Sequence, residues 1–340
     1  MNFKGIEICC PHCRGELERA QEDELRCLGC GRAYPILLDI PDLRIFPDPY
    51  IGLEEDRAKG TRLAQRFREF DFEGLVRFYY STTPVVPPHH ARLYTRGLLA
   101  AVGRAEEWLR SWEVTAGDGA AKSLIDLGCG TAPLLEVARQ YPCRVGVDIA
   151  FRWLVVGQKR LADAGLDLPL ICACAEALPF RDATFDRVVA DSSLEHCRDQ
   201  GKALAEARRV MRPGGRLFLG TPNRFSLGPD PQTGIWAGGW LPQSWTAALV
   251  RRQGGIPPVR NLLSFVSLRR LLRGAKFENV RVYLPQVPRA QRAHFSRMVR
   301  ALMAAYDVAR RLPLSRFLLL WIGPMLHAVA QSPEGPKRDA

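Results

Sequence analysis

The sequence predicts an α/β fold in which helices cover both faces of a mostly parallel sheet. Short apolar runs alternate with longer amphipathic segments between residues 123 and 220, a pattern typical of parallel strands joined by crossover helices. A glycine-rich turn follows the first apolar run, and acidic residues stand near the ends of the first, second and fourth runs. Because such sheets bind ligands beyond the carboxyl ends of their strands, we expect a ligand site there.

The first strand and its turn lie in SLIDLGCGTAPLLEVA, residues Ser123 to Ala138. The run from Leu124 to Leu127 has the apolar composition of a fully buried parallel strand. Gly128 and Gly130 allow the backbone to approach a ligand closely, and the following helix offers free N–H groups at its start. Pro133 fits the first turn of that helix, where a missing N–H is tolerated.

The second strand narrows the class of ligand to a nucleoside. A dinucleotide fingerprint requires Gly or Ala three residues after Gly130, where this chain has Pro133, so a pyrophosphate site is disfavoured. Asp148 ends the second apolar run, and an acid at that position can accept hydrogen bonds from both hydroxyls of a ribose. These residues predict a nucleoside ligand without a pyrophosphate.

The motifs resemble those of class I S-adenosylmethionine-dependent methyltransferases. DLGCGTA resembles the first motif of that family and VGVDIA the second. ACAEALPFRDATFDRVVADSSLEHC resembles the third and fourth motifs, and EARRVMRPGGRLFLGTPN the fifth strand with its preceding turn. The resemblance covers roughly Ser123 to Asn223, and it implies a Rossmann-like seven-stranded methyltransferase sheet with S-adenosyl-L-methionine as the cofactor. FVSLRRLLRGAKFENVRVYLP would supply the sixth strand, and Pro324 to Gln331 a seventh, antiparallel at the edge of the sheet.

The resemblance also implies roles for individual residues. Asp126 would contact the methionine end of the cofactor, Gly128 and Gly130 would let that end approach the backbone, and Asp148 would bind the ribose. The residues beside the adenine would be Cys174, Ala175 and Glu176. Two positions depart from the pattern: Ala132 replaces the third glycine at a helix start, and Cys174 stands where many relatives have an Asp that binds the adenine amino group.

The end of the fourth strand carries the candidate catalytic residues. Asp191 should point into the crevice between cofactor and acceptor, and would contact both. His196 is the best-placed residue to remove a proton from an oxygen nucleophile. A structural role for His196 is the alternative, since many relatives have a Glu-His pair here.

The first 30 residues contain five of the ten cysteines. Cys10-x-x-Cys13 and Cys27-x-x-Cys30 are separated by 13 residues, which is the spacing of a structural Zn²⁺ site with four thiolates. Gly29 and Gly31 would supply the tight turn. The segment GRAYPILLDIPDL, which follows, resembles the end of a Trm112-like zinc ribbon.

These observations divide the chain into four parts. We predict a Trm112-like zinc ribbon at 1–46, a linker and helical lid at 47–112, a methyltransferase domain at 113–331 and a disordered tail at 332–340. One or two short helices are expected over 53–80 and one helix from Ala91 to Trp112, with Leu93 and Leu99 on its buried side. The methyltransferase domain would carry insertions at about 222–260 and 286–322.

The charge of the chain is concentrated in its last third. The stretch from Arg251 to Arg316 has a net charge of +13, against +12 for the whole chain, which indicates an anionic partner or a solvated arginine-rich face. Residues 289–312 predict a basic amphipathic helix that could dock on anionic lipid. Its apolar side would hold Phe295, Val299, Leu302 and Tyr306, and its basic residues would be Arg292, Arg297 and Arg300.

The sequence shows no secretory signal and no apolar run long enough to span a bilayer, so we predict a cytoplasmic protein without a transmembrane segment. The favoured function is methyl transfer to a small-molecule, lipid-linked or glycan acceptor. An RNA methyltransferase is the first alternative, because a zinc ribbon ahead of this fold resembles ribosomal-RNA guanine methyltransferases and the basic third could bind phosphates. Against it, the chain reads Asp-Ser-Ser-Leu where an amino-methylating Asn-Pro-Pro-Tyr signature would stand. A non-catalytic partner or scaffold module is the second alternative.

Overall fold

The structure of the chain is a computed structural model, which describes residues 1–83, 85–116, 121–230, 232–287, 292 and 297–334. A small β-unit opens the chain, a group of helices follows, and a seven-stranded sheet forms the centre of the remainder. Two clusters of buried apolar side chains pack in the interior, and both include side chains of the central sheet and of the opening unit.

The opening unit consists of short antiparallel strands. They are β1 (Asn2–Phe3), β2 (Ile6–Glu7), β3 (Leu17–Gln21), β4 (Glu24–Cys27), β5 (Ala33–Leu37) and β6 (Ile40–Pro41). The helices that follow it before the central sheet are α1 (Leu53–Gln65), α2 (Phe72–Ser81), α3 (Pro88–Leu99) and α4 (Ala101–Ala116).

The central sheet begins with alternating strands and helices. These are β7 (Ser123–Leu127), α5 (Pro133–Val137), β8 (Cys143–Asp148), α6 (Phe151–Asp163), β9 (Leu170–Cys172), β10 (Phe185–Asp191), α7 (Gln200–Val210) and β11 (Met211–Pro222). The later elements are α8 (Gln243–Arg252), α9 (Phe265–Gly274), β12 (Glu278–Tyr283), α10 (Arg297–Ala309), α11 (Pro313–Ile322) and β13 (Met325–Gln331).

The strand order is β12-β13-β11-β10-β7-β8-β9, with β7 to β11 parallel and β13 antiparallel to both of its neighbours. The predicted α/β fold with a Rossmann-like seven-stranded sheet is confirmed. The predicted edge position of β13 is wrong, because β12 forms that edge. The five central residues of β13 are buried, whereas β12 has no buried residue, so the more apolar strand takes the interior position.

Three local expectations also differ from the structure. The helix predicted from Ala91 to Trp112 is two helices, α3 and α4, that meet at Ala100. The meeting of two helices interrupts the predicted apolar stripe, so Leu93 and Leu99 are exposed while Leu109 and Trp112 are buried.

The other two differences concern the C-terminal part of the chain. The predicted tail begins too early at 332, since Ser332 is buried and its N–H donates to the Gly215 carbonyl at 2.9 Å. Residues 335–340 lie outside the described part of the chain. The basic helix predicted at 289–312 ends at Ala309 in the structure, three residues earlier than expected, and Phe295 lies outside the described residues.

The opening unit packs along the free edge of β9. The Leu43 N–H donates to the Cys172 carbonyl at 2.7 Å, and the Cys9 N–H donates to the Pro179 carbonyl at 2.9 Å. Asp42 and Cys172 form a parallel bridge, so the chain continues the sheet by one short segment beyond β9. The unit is therefore joined to the central sheet by backbone hydrogen bonds as well as by apolar packing.

A buried ion-pair network lies where this unit, α1 and α6 meet. The Arg44 guanidinium donates to Asp42 at 2.7 Å, to Asp56 at 2.7 Å and to the Ile149 carbonyl at 3.0 Å. The side chains of these three charged residues are fully buried. Arg44 thus connects the end of the opening unit to α1 and to the residue that follows β8.

Asp56 is the acceptor at the centre of the network. Its carboxylate accepts from the Phe151 N–H at 2.8 Å and from the Arg152 guanidinium at 2.8 Å. A carboxylate from α1 therefore caps the first turn of α6, where free N–H groups and the helix dipole favour negative charge.

We predict that Asp56→Ala lowers the free energy of unfolding by about 3–5 kcal/mol. The substitution removes one buried carboxylate from each of two guanidinium groups, so that Arg44 keeps only Asp42 and Arg152 only Asp48, and breaking a buried pair on one side has a cost of this size. Chemical denaturation at neutral pH measures the change. Glu73→Ala is the matched control, because it removes an exposed ion pair with Arg77 and should cost less than about 1 kcal/mol. Equal losses in the two variants would contradict the central position of Asp56.

Candidate active site and metal centre

The turn after β7 has a left-handed backbone at alternate residues. Gly128, Gly130 and Ala132 have φ values of +78°, +51° and +57°. A side chain at Gly128 would also bring a Cβ within 2.3 Å of the Ser193 Cβ, so glycine is required there on two grounds. Ala132 holds the strained conformation that the third glycine of the motif would adopt freely.

Asp148 lies at the carboxyl end of β8, beside this turn. One carboxylate oxygen accepts from the Gly130 N–H and the other from the Ala150 N–H, each at 2.8 Å. Burial raises the pKa of Asp148 to about 6, although these two hydrogen bonds favour the ionised form. Each oxygen has a second lone pair that can accept a hydrogen bond from a ligand hydroxyl.

Two further buried acids lie close to Asp148. Burial raises the pKa of Asp126 well above its ordinary value, and the charges of Asp191 and Asp148 add to that effect. Burial and the Glu195 charge raise the pKa of Asp191 to about 7, while Arg104 opposes the shift. The charges of Asp148 and Asp191 thus both act on Asp126, and a concentration of buried acids of this kind favours a cation.

Asp191 has an unpaired oxygen inside the protein. Its Oδ1 is buried and has no hydrogen-bond partner among the described residues. A Cβ at Gly220, on the neighbouring strand β11, would lie 2.1 Å from that oxygen. The missing side chain of Gly220 therefore leaves room for the Asp191 carboxylate, and the unpaired oxygen is a point where a ligand can bind.

The three residues predicted beside the adenine are close to the end of the opening unit. The Cys174 thiol donates to the Phe46 carbonyl at 3.6 Å, and burial raises its pKa to about 11. The Glu176 carboxylate accepts from the Arg198 N–H at 2.7 Å, and the Arg198 guanidinium lies 4.1 Å from the centre of the Phe46 ring. Ala175 is partly buried next to them. Cys174 and Glu176 thus already have partners in this chain.

His196 has a hydrogen-bond partner at each ring nitrogen. Nδ1 lies 3.2 Å from the Val259 carbonyl oxygen, which can only accept, so Nδ1 carries the proton. Nε2 then accepts from the Gln232 amide at 3.0 Å. Burial lowers the pKa of His196, so the ring is neutral at pH 7. His196 therefore connects the end of β10 to the segment between β11 and α9.

Sequence reasoning missed His327, which faces Gly220 across the pair of strands β11 and β13. Its Nδ1 accepts from the Trp112 indole at 3.4 Å, and its buried Nε2 has no partner among the described residues. A Cβ at Gly220 would lie 3.2 Å from that Nε2 and 2.1 Å from the Asp191 oxygen, so both unpaired groups border the same space. The signal was available, because a histidine in the apolar run MLHAVA is a polar group in a strand that must be buried.

Arg160 connects the glycine turn to the helices that precede the sheet. Its guanidinium donates to the Thr131 carbonyl at 2.8 Å and to the Leu98 carbonyl at 2.9 Å. The same group lies 3.7 Å from the centre of the Phe72 ring. One side chain of α6 therefore contacts α2, α3 and the glycine turn.

The four predicted metal ligands converge in the opening unit. The sulfur atoms of Cys10, Cys13, Cys27 and Cys30 all lie within 4.8 Å of one another. Sulfur atoms about 2.3 Å from a tetrahedral zinc would stand about 3.8 Å apart, and the Cys10–Cys30 pair is separated by 3.7 Å. The donor set and its geometry fit a zinc ion.

Each cysteine pair lies on a turn with a left-handed residue after its second cysteine. These residues are Arg14 and Gly31, with φ values of +60° and +71°. The sequence prediction named Gly29 and Gly31, and only Gly31 is left-handed. Gly15 was missed: a Cβ there would lie 3.1 Å from the sulfur atoms of both Cys13 and Cys27, so a larger residue would crowd the ligands.

Comparison with known protein families agrees with this geometry. Residues 125–219 match the family model described as a methyltransferase domain, and residues 8–36 match the model described as Trm112p-like protein. The central sheet thus carries the segment that matches a methyltransferase domain. More particularly, the chain joins that domain to a Trm112-like unit in one polypeptide.

The curated relatives match only part of this chain. The ubiquinone/menaquinone biosynthesis C-methyltransferase UbiE of Bordetella avium is 42% identical over 103 residues, which are 28% of this chain and 39% of that protein. The 27-O-demethylrifamycin SV methyltransferase of Amycolatopsis mediterranei is 37% identical over 116 residues, 33% of this chain and 42% of that protein. The chain therefore spans less than half the length of these two relatives.

Among solved structures, the Haemonchus contortus phosphoethanolamine N-methyltransferase 2 in complex with S-adenosyl-L-methionine matches at a TM-score of 0.44 with 15% identity. That match covers 68% of this chain and 57% of the other.

We predict that Gly220→Ala weakens binding of S-adenosyl-L-methionine at least tenfold. The added methyl group would displace the Asp191 carboxylate from its present position in the cluster of buried acids. Isothermal titration calorimetry measures the affinity. Gly97→Ala is the matched control, since a Cβ at Gly97 meets no atom within 4 Å and alanine is favoured in a helix. An unchanged affinity in Gly220→Ala would contradict the importance of the space beside Asp191.

Proposed function

We propose that this chain is an S-adenosylmethionine-dependent methyltransferase that methylates a small-molecule acceptor, including acceptors linked to a lipid or a glycan. One observation carries the proposal: a left-handed glycine turn brings the backbone against three buried acids, Asp126, Asp148 and Asp191. A sulfonium nucleoside is a cation that also carries a ribose. The acids suit the positive charge, and the free lone pairs of Asp148 suit the ribose hydroxyls.

The residues would divide the cofactor between them. The two free lone pairs of Asp148 would accept the ribose hydroxyls, and the turn at Gly128 and Gly130 would receive the methionine end next to Asp126. Ala175 and Glu176 would border the adenine, and Cys174 would do so only through its apolar surface, since its thiol is bonded to Phe46. The bound cofactor supplies a methyl group already activated by a positive sulfur, so the chain has to align the acceptor and exclude water.

Asp191 is the residue we propose to face the acceptor. Its pKa of about 7 and its unpaired oxygen suit a group that takes a proton from an acceptor hydroxyl at neutral pH. His196 would reach the reacting atoms only after the Gln232 amide moved away. We therefore assign His196 a positioning role, in which it holds the segment that covers the crevice.

The acceptor is proposed to be a small molecule because the two curated relatives named above carry names of that kind. The RNA alternative rests on the zinc ribbon ahead of this fold and on the charge of the last third. Some of that charge is neutralised within the chain: Arg260 pairs with Asp230, and Arg292 and Arg310 pair with Asp307. The scaffold alternative leaves the strained turn and the unpaired Asp191 oxygen without a purpose. The cytoplasmic location that the sequence predicts stays a prediction.

The zinc ion is proposed to be structural. Four thiolates complete a tetrahedral shell and leave no position for a substrate or a water molecule. The metal would fix the two cysteine turns of a unit too small to be stable through its core alone.

We predict that the affinity for S-adenosyl-L-methionine falls as the pH decreases through about 6. Burial raises the pKa of Asp148 to that value, so its carboxylate takes up a proton there and can no longer accept from both ribose hydroxyls. The contribution of Asp148 to the affinity is fully present above this pH. Below it, the affinity decreases by up to about tenfold per pH unit. Calorimetric titrations between pH 5 and 8 would test the trend.

The Asp148→Asn variant separates this residue from the other acids. It should bind the cofactor at least tenfold more weakly at pH 8 and should lack the decrease near pH 6. Asp167→Asn, an exposed position paired with Lys4, should behave like the unmodified protein. No binding by the unmodified protein, or equal binding by Asp148→Asn, would refute the proposed function.

We predict about one zinc ion per chain in the purified protein, measured by atomic emission. Cys10→Ser should lower the zinc content to well below one and lower the melting temperature. Cys197→Ser is the matched control, because this thiol lies outside the four-sulfur cluster and bonds the Ser193 carbonyl. Full zinc content in Cys10→Ser would contradict the assignment of the ligands.

A further inference from the structure

Helix α11 presents one continuous apolar face to solvent. None of its residues from Pro313 to Ile322 is buried. Leu314, Phe317, Leu318 and Trp321 are 39–78% exposed, and their spacing of three and four residues places them on the same side of the helix. Within the described residues, nothing covers the most apolar face of this helix.

A second exposed apolar group adjoins this helix. The Leu227 N–H donates to the Ile322 carbonyl at 3.1 Å, and the Asn223 amide donates to the Trp321 carbonyl at 3.1 Å. The intervening Phe225 ring lies 4.9 Å from the Trp240 ring, whose indole donates to the Phe225 carbonyl. The segment 223–227 therefore connects α11 to the turn that precedes α8.

The tryptophans of this second group are also turned outward. Trp240 and Trp245 are 54% and 64% exposed, and Leu227 is exposed beside them. We call α11, the segment 223–227 and these two tryptophans the apolar shelf. Its extent exceeds the isolated apolar side chains that are ordinary on a protein surface.

Arginines border the apolar shelf. Arg311 and Arg316 stand at the start of α11, Arg251 and Arg252 end α8, and Arg300 lies on α10. Within the described residues, none of these five guanidinium groups has a carboxylate within 4.0 Å, whereas Asp307 pairs with Arg292 and Arg310. The charge that remains uncompensated is thus positive and adjacent to apolar surface.

We propose that the apolar shelf docks on the surface of an anionic lipid bilayer. Leucine and phenylalanine on one helical face, with arginines beside them, are the features of a helix that lies in the membrane interface. Tryptophan is enriched at that depth, because its ring is apolar and its N–H is polar. The ten residues of α11 are too few to cross the hydrocarbon core, and no helix in the described part of the chain is long and apolar enough to do so.

The shelf differs from the lipid-binding helix that the sequence predicted. Arg292 of that helix pairs with Asp307, and the Tyr306 hydroxyl donates to the Pro285 carbonyl at 2.9 Å. Both side chains are therefore engaged inside the protein. Leu302 and Val308 of that helix are exposed as well, and α11, which follows it, carries the continuous apolar face.

Docking through the apolar shelf would also determine how the acceptor reaches the site, an inference that rests on the proposed function. The insertion that carries Trp240 and Trp245 also supplies Gln232 and Val259, the two partners of His196 at the crevice. The same insertion would therefore contact the membrane at one end and the acceptor site at the other. An acceptor dissolved in the bilayer would then enter from the membrane side.

Co-sedimentation with vesicles tests the proposal on the full chain. Vesicles of phosphatidylcholine with 30% phosphatidylglycerol should bind the protein, and vesicles of phosphatidylcholine alone should bind it much more weakly. The triple variant Leu314→Ser, Phe317→Ser and Leu318→Ser should lose at least tenfold in vesicle affinity. Arg311→Glu with Arg316→Glu should lose at least 25-fold on anionic vesicles, since each arginine near such a surface contributes about fivefold.

Leu93→Ser is the matched control, because Leu93 is an equally exposed leucine on α3, and it should bind vesicles like the unmodified protein. Circular dichroism melting identifies any variant that fails to fold. In that case the Trp321→Phe variant is used instead, and tryptophan fluorescence is measured with vesicles that contain brominated lipid. The substitution should reduce the quenching of that fluorescence. No binding of the unmodified protein to anionic vesicles, or equal binding by the triple variant, would overturn the proposal. Concentration-dependent dimers that only the triple variant abolishes, or retention on RNA without vesicle binding, would also overturn it.

Titration with S-adenosyl-L-methionine in the same samples separates the two proposals. Vesicle binding without cofactor binding would support the docking surface and refute the proposed function. Cofactor binding without vesicle binding would refute the docking surface and support the proposed function.

Discussion

The ion pairs between Arg44, Asp56 and Arg152 are the interaction on which the rest of the structure depends. They occupy the point where the Trm112-like unit, α1 and the start of α6 meet. The charges are buried, so each guanidinium needs its carboxylate, and no one of the three segments can move away without exposing or orphaning a charge. The carbonyl of Ile149, the residue after Asp148, is part of the same network. The position of Asp148, the acid proposed to bind the ribose, is thereby coupled to two segments that lie far from it in the sequence.

Much of the fold follows from patterns that are local in the sequence. The strands β7 and β8 are short apolar runs, and both were predicted close to their observed positions. The two cysteine pairs predict their convergence because metal-ligand spacing is a local property. The position of β13 between β11 and β12 was not predicted, since strand order depends on which edge is more apolar after the whole sheet has formed.

Site residues could be predicted from the sequence only where they stand in a local motif. Asp126, Asp148, Gly128 and Gly130 stand in recognisable motifs, and the structure brings them to one edge of the sheet. Gly220 and His327 belong to strands more than 100 residues apart in the chain, and their meeting beside Asp191 is a property of the register. The partners of His196 likewise come from an insertion whose path the sequence does not specify.

The contact between the Trm112-like unit and β9 also affects how the two parts assemble. The two parts belong to one polypeptide, so the contact forms without a search for a second molecule. The ratio of the two parts is one to one in every molecule, whatever the level of expression. The exposed backbone of an edge strand, which otherwise can pair with other chains, is covered as soon as the polypeptide folds.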